Sequence, residues 1–433
     1  VSGPVPGTPS LLRAINDRAA LRVLLDRGPL TRPEIGTLTG LSKPTASQLL
    51  ARLQEAGLVV LDGVREGLPG RTAEVYRINP AAAYVGALDV TPDRIEARVA
   101  DITGTVVGEY TLPTPRRPGG ELVERLNAAL EGASPPGPLR QVVIGVQAAL
   151  DPSTGALGYA TAKDMPGWQI PGLVPALSEG LGVPVAVEND VNLAALAEQA
   201  HGAARGHPDF VLLWADEGIG AAVVLGGRLH RGATGGAGEV GYMPTPGAPT
   251  AREAGRYANH GYQALTGGPA VLRLLRSYGV RGADFRQAIA NAVRAAESAT
   301  ARRAAESAAA QRTAESATAR RAAESEARRA EDARAGLRDI AARLAVGLAA
   351  ITSVLDPGLI VLAGGMVMAG GETLRELVEH ELHALTIPRP RLRLSSVEGG
   401  PVLAGALDLA LDLARAEVFG FTPDNARAGA TPL

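Results

Sequence analysis

Cysteine is absent from this 433-residue chain. That excludes a disulfide framework, a Cys-ligated zinc and a thiol nucleophile. Lysine occurs only at positions 43 and 163, while arginine is abundant. With so much Ala and Gly, this bias points to a GC-rich genome and carries no function of its own. No run of 18 apolar residues occurs, so a membrane-spanning helix is not expected. The opening stretch VSGPVPGTPS does not read as a signal peptide, and a soluble cytoplasmic protein is expected. What is present is a hydrophobic content of 46%, ample for a large core. The length allows two or three domains.

The most informative stretch is Thr31 to Val59, TRPEIGTLTGLSKPTASQLLARLQEAGLV. Thr31 suits the cap of a helix whose first turn holds Pro33 and Glu34, with Ile35 and Leu38 as its apolar positions. Gly40 ends it, since Gly takes the left-handed conformation that a helix C-terminus needs. Ser42 caps a second helix that buries Ala46, Leu49, Leu50 and Leu53, and Gly57 stops it. Lys43, Pro44, Thr45, Ser47 and Gln48 then lie at the start or on the exposed side, where a recognition helix meets base edges. Arg52 suits phosphate. No acid occurs between Ser42 and Leu53, which fits a surface facing phosphates. The stretch reads as a winged helix-turn-helix; an ordinary helical hairpin is the bland alternative.

Leu11 to Arg27 reads as a preceding helix with Leu12, Ile15, Leu21 and Leu24 as its apolar set. Leu58 to Leu61 and Glu74 to Ile78 read as two strands around DGVREGLPGRTA, a wing whose Arg65 and Arg71 suit phosphate or the minor groove. A solvated loop charge is the alternative reading of each arginine. Residues 1–79 hold ten Lys/Arg against seven Asp/Glu, although the whole chain has a net charge of −2. The modest basic excess sits where DNA binding is expected.

The expected organisation is a flexible tail over 1–9, a DNA-binding domain over 10–79, an α/β domain over 80–418 and a second tail over 419–433. VGALDV, RIEARVAD and TVVGEYTL read as three consecutive strands from residue 85, and QVVIGVQA, VPVAVEND and LIVLAGG as further ones. FVLLWADEGIGAAVVLGGRL reads as a strand pair around a Gly turn. Helical segments such as Val191 to His201 lie between, an alternation that argues for α/β architecture.

Residues 294–334 stand apart, being almost entirely Ala, Glu, Arg, Ser and Thr. AESATARRAAES occurs at 296–307 and again at 314–325. The shift is about five helical turns, so both copies present the same faces. A continuous helix of this length would span about 60 Å. With almost no large apolar residue it does not read as a core helix or a zipper. A solvated helical or partly disordered insert and a partner-binding arm are both compatible with it.

Four pieces of the α/β region carry chemistry. VPVAVEND ends in Glu188-Asn189-Asp190 and leads into a helix. Polar groups at strand carboxyl ends face the ligand crevice of open α/β sheets, and Asn with Asp offers donors and acceptors for vicinal hydroxyls. Taken alone, Asn-Asp at a strand end is also an ordinary cap. GIGAAVVLGGRLHRGATGGAGEVGY, residues 218–242, places Glu239 in a Gly-flanked loop where it suits a hydroxyl pair. VIGVQAALDPSTGAL with MPGW, and LIVLAGGMV, would wall the crevice.

In this order and spacing the pieces resemble the ROK family, which contains sugar kinases and sugar-responsive repressors. VENDVN and LHRGATGGAGEVG are the most specific parts, and the resemblance covers roughly residues 10–415. It implies two actin-like (ribonuclease H-like) lobes with a sugar site between them. It also implies dimers or tetramers that present two winged helices to a palindromic DNA operator. Position by position, Asn189, Asp190 and Glu239 match family sugar ligands, the Asp being the general base in the kinases, and a further family Glu falls at Gln263. Family kinases carry Asp-x-Gly-Gly-Thr on the first strand; this chain has Asp89-Val90-Thr91-Pro92-Asp93. Both glycines are gone, Pro92 removes an amide donor and Asp93 would repel phosphates, so no kinase activity is expected. Where the family usually has a His that touches sugar and zinc, this chain has Tyr242, and the cysteine-rich zinc loop is replaced by MPTPGAPTAREAGRYANHG. His230 and His260 lack ligand spacing; neither zinc nor any other cofactor is expected. Tyr242 and Gln263 keep the capacity to hydrogen-bond a hydroxylated ligand. The expected function is a sugar-sensing DNA-binding regulator, a repressor of carbohydrate genes. The alternatives are a constitutive DNA-binding protein whose larger domain only oligomerises, and an ATP-dependent sugar kinase.

Overall fold

Helix α1 (Pro9–Arg27) opens the fold of this computed structural model, which describes residues 9–66, 72–114, 121–159, 165–255, 258–309 and 317–421. Ala20, Leu21 and Leu24 are buried, whereas Leu12 and Ile15 are 54% and 49% exposed. Helical spacing correctly marks one face of α1, but its neighbours cover only the second half of that face. Strand β1 (Leu30–Thr31) leads into α2 (Arg32–Thr39) and α3 (Lys43–Glu55). The amide and hydroxyl of Thr31 both donate to the Glu34 carboxylate at 2.7 Å, tying off the start of α2. Gly40, at φ 70°, ends that helix, and Ser42 caps the next. Ala46, Leu49, Leu50 and Leu53 are the buried residues of α3, while Leu38 of α2 stays half exposed.

Strands β2 (Val59–Glu66) and β3 (Thr72–Ile78) are longer than the sequence pattern indicates, and they form a sheet in the order β1-β3-β2. Arg65 is therefore a strand residue, opposite Ala73, rather than part of a loop. Arg71 lies outside the described residues. Asn79 caps the 3-10 turn Pro80–Ala82 and donates to the Gly57 carbonyl at 2.7 Å, closing the base of the wing.

The remaining chain is α/β. It runs through β4 (Tyr84–Val90), β5 (Arg94–Asp101), β6 (Val106–Pro113), α4 (Leu122–Gly132), β7 (Leu139–Val146), β8 (Ala149–Leu150), β9 (Leu157–Gly158), α5 (Leu173–Leu181), β10 (Val185–Asn189) and α6 (Asp190–Ala200). It continues with β11 (Phe210–Ala215), β12 (Ile219–Leu225), β13 (Arg228–His230), α7 (Ala251–Ala254), α8 (Gly261–Thr266), α9 (Gly268–Ser277), α10 (Phe285–Ala309), α11 (Ala317–Leu355), β14 (Leu359–Ala363), α12 (Gly365–Leu385), β15 (Arg391–Leu394) and α13 (Pro401–Phe419). The chain divides into two compact units: residues 1–146, 167–188 and 406–433 form the first, and residues 147–166 and 189–405 the second.

Each unit is built on a five-stranded sheet, in the orders β10-β7-β4-β5-β6 and β13-β12-β11-β14-β15. Both mix a parallel pair (β4 with β7, β11 with β14) with antiparallel neighbours. This is the two-lobed, actin-like α/β architecture expected, with the winged helix-turn-helix ahead of it. Val85, Leu88, Ile95, Leu126 and Ile144 fill the first core. The second packs Leu213, Ile360 and Leu362 of the sheet against Ile289, Leu337, Leu344 and Leu374 of the helices.

Two stretches differ from the sequence reading. The Ala/Arg/Glu-rich segment is not one long helix: α10 ends at Ala309, α11 starts at Ala317, and the two pack together. Arg334 donates to the Ala296 carbonyl at 2.6 Å, and Ala296, Ala330 and Ala333 are buried. Alanine faces can close on each other without large apolar side chains, which the lack of Leu and Ile concealed. At the other end, Phe419 is the buried last residue of α13 and Phe421 stacks 5.4 Å from it. The described chain thus runs three residues, Phe419 to Phe421, into the stretch read as a tail, where the two aromatic rings have each other and α1 to pack on.

Candidate functional site

Two groups of residues carry the functional expectation. The first is the start of α3. Ser42 accepts from the Thr45 amide at 3.4 Å, and the two hydroxyls lie 2.8 Å apart. Ser47 donates to the Lys43 carbonyl at 3.0 Å. Lys43, Pro44 and Gln48 are exposed, with Thr45 and Ser47 half-buried beside them. One continuous polar surface therefore carries all five, with one cation and no acid. Arg52 is placed differently from the sequence reading: it pairs with Asp17 of α1 at 2.7 Å and ties α1 to α3. Arg65 pairs with Glu34 at 2.9 Å and holds β2 to the start of α2. Glu34 is held below the usual carboxylate range first by the Thr31 amide and hydroxyl, with Arg65 adding to them.

The second group lies in the second unit. Asn189 caps α6, its Oδ1 accepting from the amides of Val191 at 2.9 Å and Asn192 at 3.1 Å. Its Nδ2 faces the Ala148 carbonyl at 3.4 Å. Asp190 is the first residue of α6, with one carboxylate oxygen on the Val191 amide at 2.8 Å. The start of β12 joins this turn to the Gly-rich loop. A Cβ at Gly220 would lie 3.1 Å from Val191. One residue on, the Ala221 amide donates to the Gly238 carbonyl at 2.8 Å. Gly238, at φ 99°, lies so close to the Ala221 carbonyl that no side chain fits there. Glu239 follows directly, and burial raises its carboxyl from 4.5 to about 7.

Tyr242 closes the 3-10 turn after Glu239. Its hydroxyl donates to the Tyr159 carbonyl at 3.4 Å, and its ring lies 6.1 Å from Tyr159 and 5.3 Å from His260. Gln263 accepts from the Ile219 amide at 3.4 Å and stands against Gly218 and Gly241, so its carbonyl braces the turn before β12. The first turns of β12 and α6 thus gather Asn189, Asp190, Glu239, Tyr242 and Gln263 in one unit. Tyr159 and His260 join them without having been singled out as ligands. The one local sign of Tyr159 is its left-handed backbone, φ 62°, which no sequence pattern revealed. Such a cluster can donate to and accept from several hydroxyls.

The position of the kinase phosphate loop is the β4–β5 turn in the first unit. There the Thr91 amide donates to the Arg94 carbonyl at 2.9 Å and the Arg94 amide to the Thr91 hydroxyl at 3.2 Å. Pro92 has no amide proton, so the turn's donors are mostly spent on closing it. Asp89, behind the turn, is pushed up to about 6 by burial and then by Glu96, against the opposing pull of Arg94. Among the described residues no cluster of three or more His, Asp or Glu could hold a metal ion, and no helix is long and apolar enough to cross a membrane.

The ROK family model matches residues 85–412 and the MarR family model residues 15–70. The xylose repressor of Bacillus subtilis is 26% identical over 240 residues, 54% of this chain and 61% of that protein. The DNA-binding transcriptional dual regulator NagC of Escherichia coli is 27% identical over 244 residues, 55% of this chain and 59% of that protein. The matches thus span about three-fifths of the length of these relatives. Among solved structures, a ROK hexokinase from Thermus thermophilus is 28% identical, with a TM-score of 0.56 over 76% of this chain and 97% of its own. A ROK family transcriptional regulator, described as a homolog of the E. coli MLC protein, gives a TM-score of 0.67 over 95% of this chain and 100% of its own at 17% identity.

Proposed function

From the premise that this chain belongs to the ROK family, with a MarR-type winged helix ahead of the family domain, we propose that it is a sugar-responsive DNA-binding regulator, a repressor of carbohydrate genes. Lys43, Pro44, Thr45, Ser47 and Gln48 meet base edges and phosphates in the major groove, and the wing with Arg65 and Arg71 meets the adjacent backbone or minor groove. A sugar or sugar derivative is held by Asn189, Asp190, Glu239 and Tyr242, with Gln263 behind them. The protein acts in the cytoplasm as a dimer or tetramer, so that two α3 helices read a palindromic operator.

The observation that carries this reading is the exposed, acid-free start of α3 on a chain that also gathers the Asn189–Asp190–Glu239 cluster. The names of two relatives, a xylose repressor and NagC, support it. The closed β4–β5 turn speaks against phosphoryl transfer, so Asp190 binds a hydroxyl here and does not act as a base. An ATP-dependent phosphorylation assay on sugars checks this, since turnover abolished by Asp190→Asn would make the chain a kinase.

The main test is operator affinity with and without xylose, N-acetylglucosamine, glucose and related sugars. A ligand changes DNA affinity only by binding the two states unequally. At least one sugar should lower affinity about tenfold, and no effect from any of them removes the sensor role. The second reading is a constitutive regulator whose larger domain only oligomerises. It is favoured by the engagement of Gln263 with Ile219 and of Tyr242 with Tyr159. A thermal-shift screen separates the two, because a ligand of the native state raises the melting temperature.

A further inference from the structure

The last helix belongs to both units. α13 starts at Pro401 in the second and ends, unbroken, at Phe419 in the first. Near its start, Gly405 is packed so tightly on the Leu193 carbonyl of α6 that a Cβ would run into that oxygen. α6 is the helix whose first turn carries Asn189 and Asp190.

The far end of α13 meets the winged helix. Arg415 is mostly buried and donates to the Ile102 carbonyl at 3.0 Å. The carboxylates around it are Asp408 and Asp412 of α13, Asp101 of β5 and Asp26 of α1. Beyond Phe419 the chain turns at Gly420, where a Cβ would come within 3.0 Å of the Arg18 side chain of α1. The Arg22 guanidinium, also on α1, lies 5.0 Å over the Phe421 ring. Three residues of α1, one per turn, thus face the end of α13.

We infer that the end of α13, through Arg415, Phe419 and Phe421, is a clamp that positions the winged helix. The covalent link to the winged helix is the short turn at Pro80–Ala82, and one tether leaves rotation about itself free. A second, non-covalent tether removes that freedom.

The test uses the full-length protein and two variants, Phe421→Ala and Arg22→Gln, with Phe421→Tyr as the conservative rescue. Amide hydrogen exchange is followed along α1 and, as an internal control, along β4 and β7. DNA duplexes selected by the wild type from a random pool are then compared with the same half-sites at altered spacings. The clamp predicts that exchange in α1 rises several-fold in both variants while β4 and β7 do not change. It also predicts that the preference for one spacing falls toward 1:1 and that Phe421→Tyr restores both. Wild-type exchange and spacing preference in both variants overturn the clamp, whether or not a sugar is ever found.

Discussion

Replacing Glu239 with glutamine should stabilise the protein at pH 8 and leave it unchanged near pH 4. Burial moves this carboxyl from 4.5 to about 7 in the folded state. Between those two pH values the folded protein holds a proton that the unfolded chain has released, so stability falls as pH rises through the window. At about 1.4 kcal/mol per pH unit, the cost of ionising Glu239 is about 3 kcal/mol, fully present above pH 7 and absent below 4.5. Glutamine keeps the shape and never ionises. For a unit of this size the gain at pH 8 amounts to roughly 5–10 °C in melting temperature. Scanning calorimetry at pH 4, 6 and 8 on wild type and Glu239→Gln reads the difference directly. An advantage that does not depend on pH, or a variant less stable at pH 8, would refute the reasoning. The same charge should serve binding: sugar hydroxyls donate to the carboxylate and offset its desolvation. The thermal shift given by a bound sugar should therefore grow from pH 6 to pH 8 in the wild type and stay flat, and smaller, in Glu239→Gln.

Four further outcomes are expected. Ser42→Ala, which removes the cap of α3, should cost about 0.5–1 kcal/mol in urea unfolding, at the low end because the Thr45 amide lies 3.4 Å away. Gly238→Ala should abolish the sugar-dependent thermal shift while leaving DNA binding intact, since the new Cβ strikes the Ala221 carbonyl beside Glu239; an undiminished shift would remove this loop from the site. Lys43→Ala should lower operator affinity and reduce the slope of log affinity against log salt by about 1. Arg52→Ala and Arg65→Ala should reduce the slope by less, because each guanidinium is also paired, with Asp17 and Glu34.

The winged helix-turn-helix was legible because its signals are local. Thr31, Glu34, Gly40 and Ser42 act within one or two turns of where they stand, and the structure uses each as the spacing implied. Sheet strands from Tyr84 to Ala363 were likewise marked by short apolar runs. What stayed hidden depends on partners far along the chain. Leu12 and Ile15 have the same spacing as Leu21 and Leu24, yet only packing decides which pair is covered. Arg52 looked free for phosphate because Asp17 lies 35 residues away in sequence. Tyr159 and His260 reach Tyr242 from loops 83 and 18 residues distant. The alanine-rich stretch announced helix correctly, but its chemistry is the same for a lone rod and for two arms closing on each other. Glu239 stood out for its setting among glycines, whereas the burial that raises its proton affinity depends on the surrounding three-dimensional packing.

The ion pairs at the base of the wing have a consequence for how DNA is measured. Arg65 of β2 is held by Glu34, and Arg32 of α2 by Glu74 and the Tyr76 hydroxyl of β3 at 2.7 and 2.8 Å. Both strands of the wing are thereby fastened to the helix that precedes α3. In the proposed DNA complex, the wing and α3 would act as the two jaws of a caliper joined through α2. For the DNA binding proposed above, a duplex whose groove widths differ from the opening between the jaws should be rejected at base pairs that neither jaw touches.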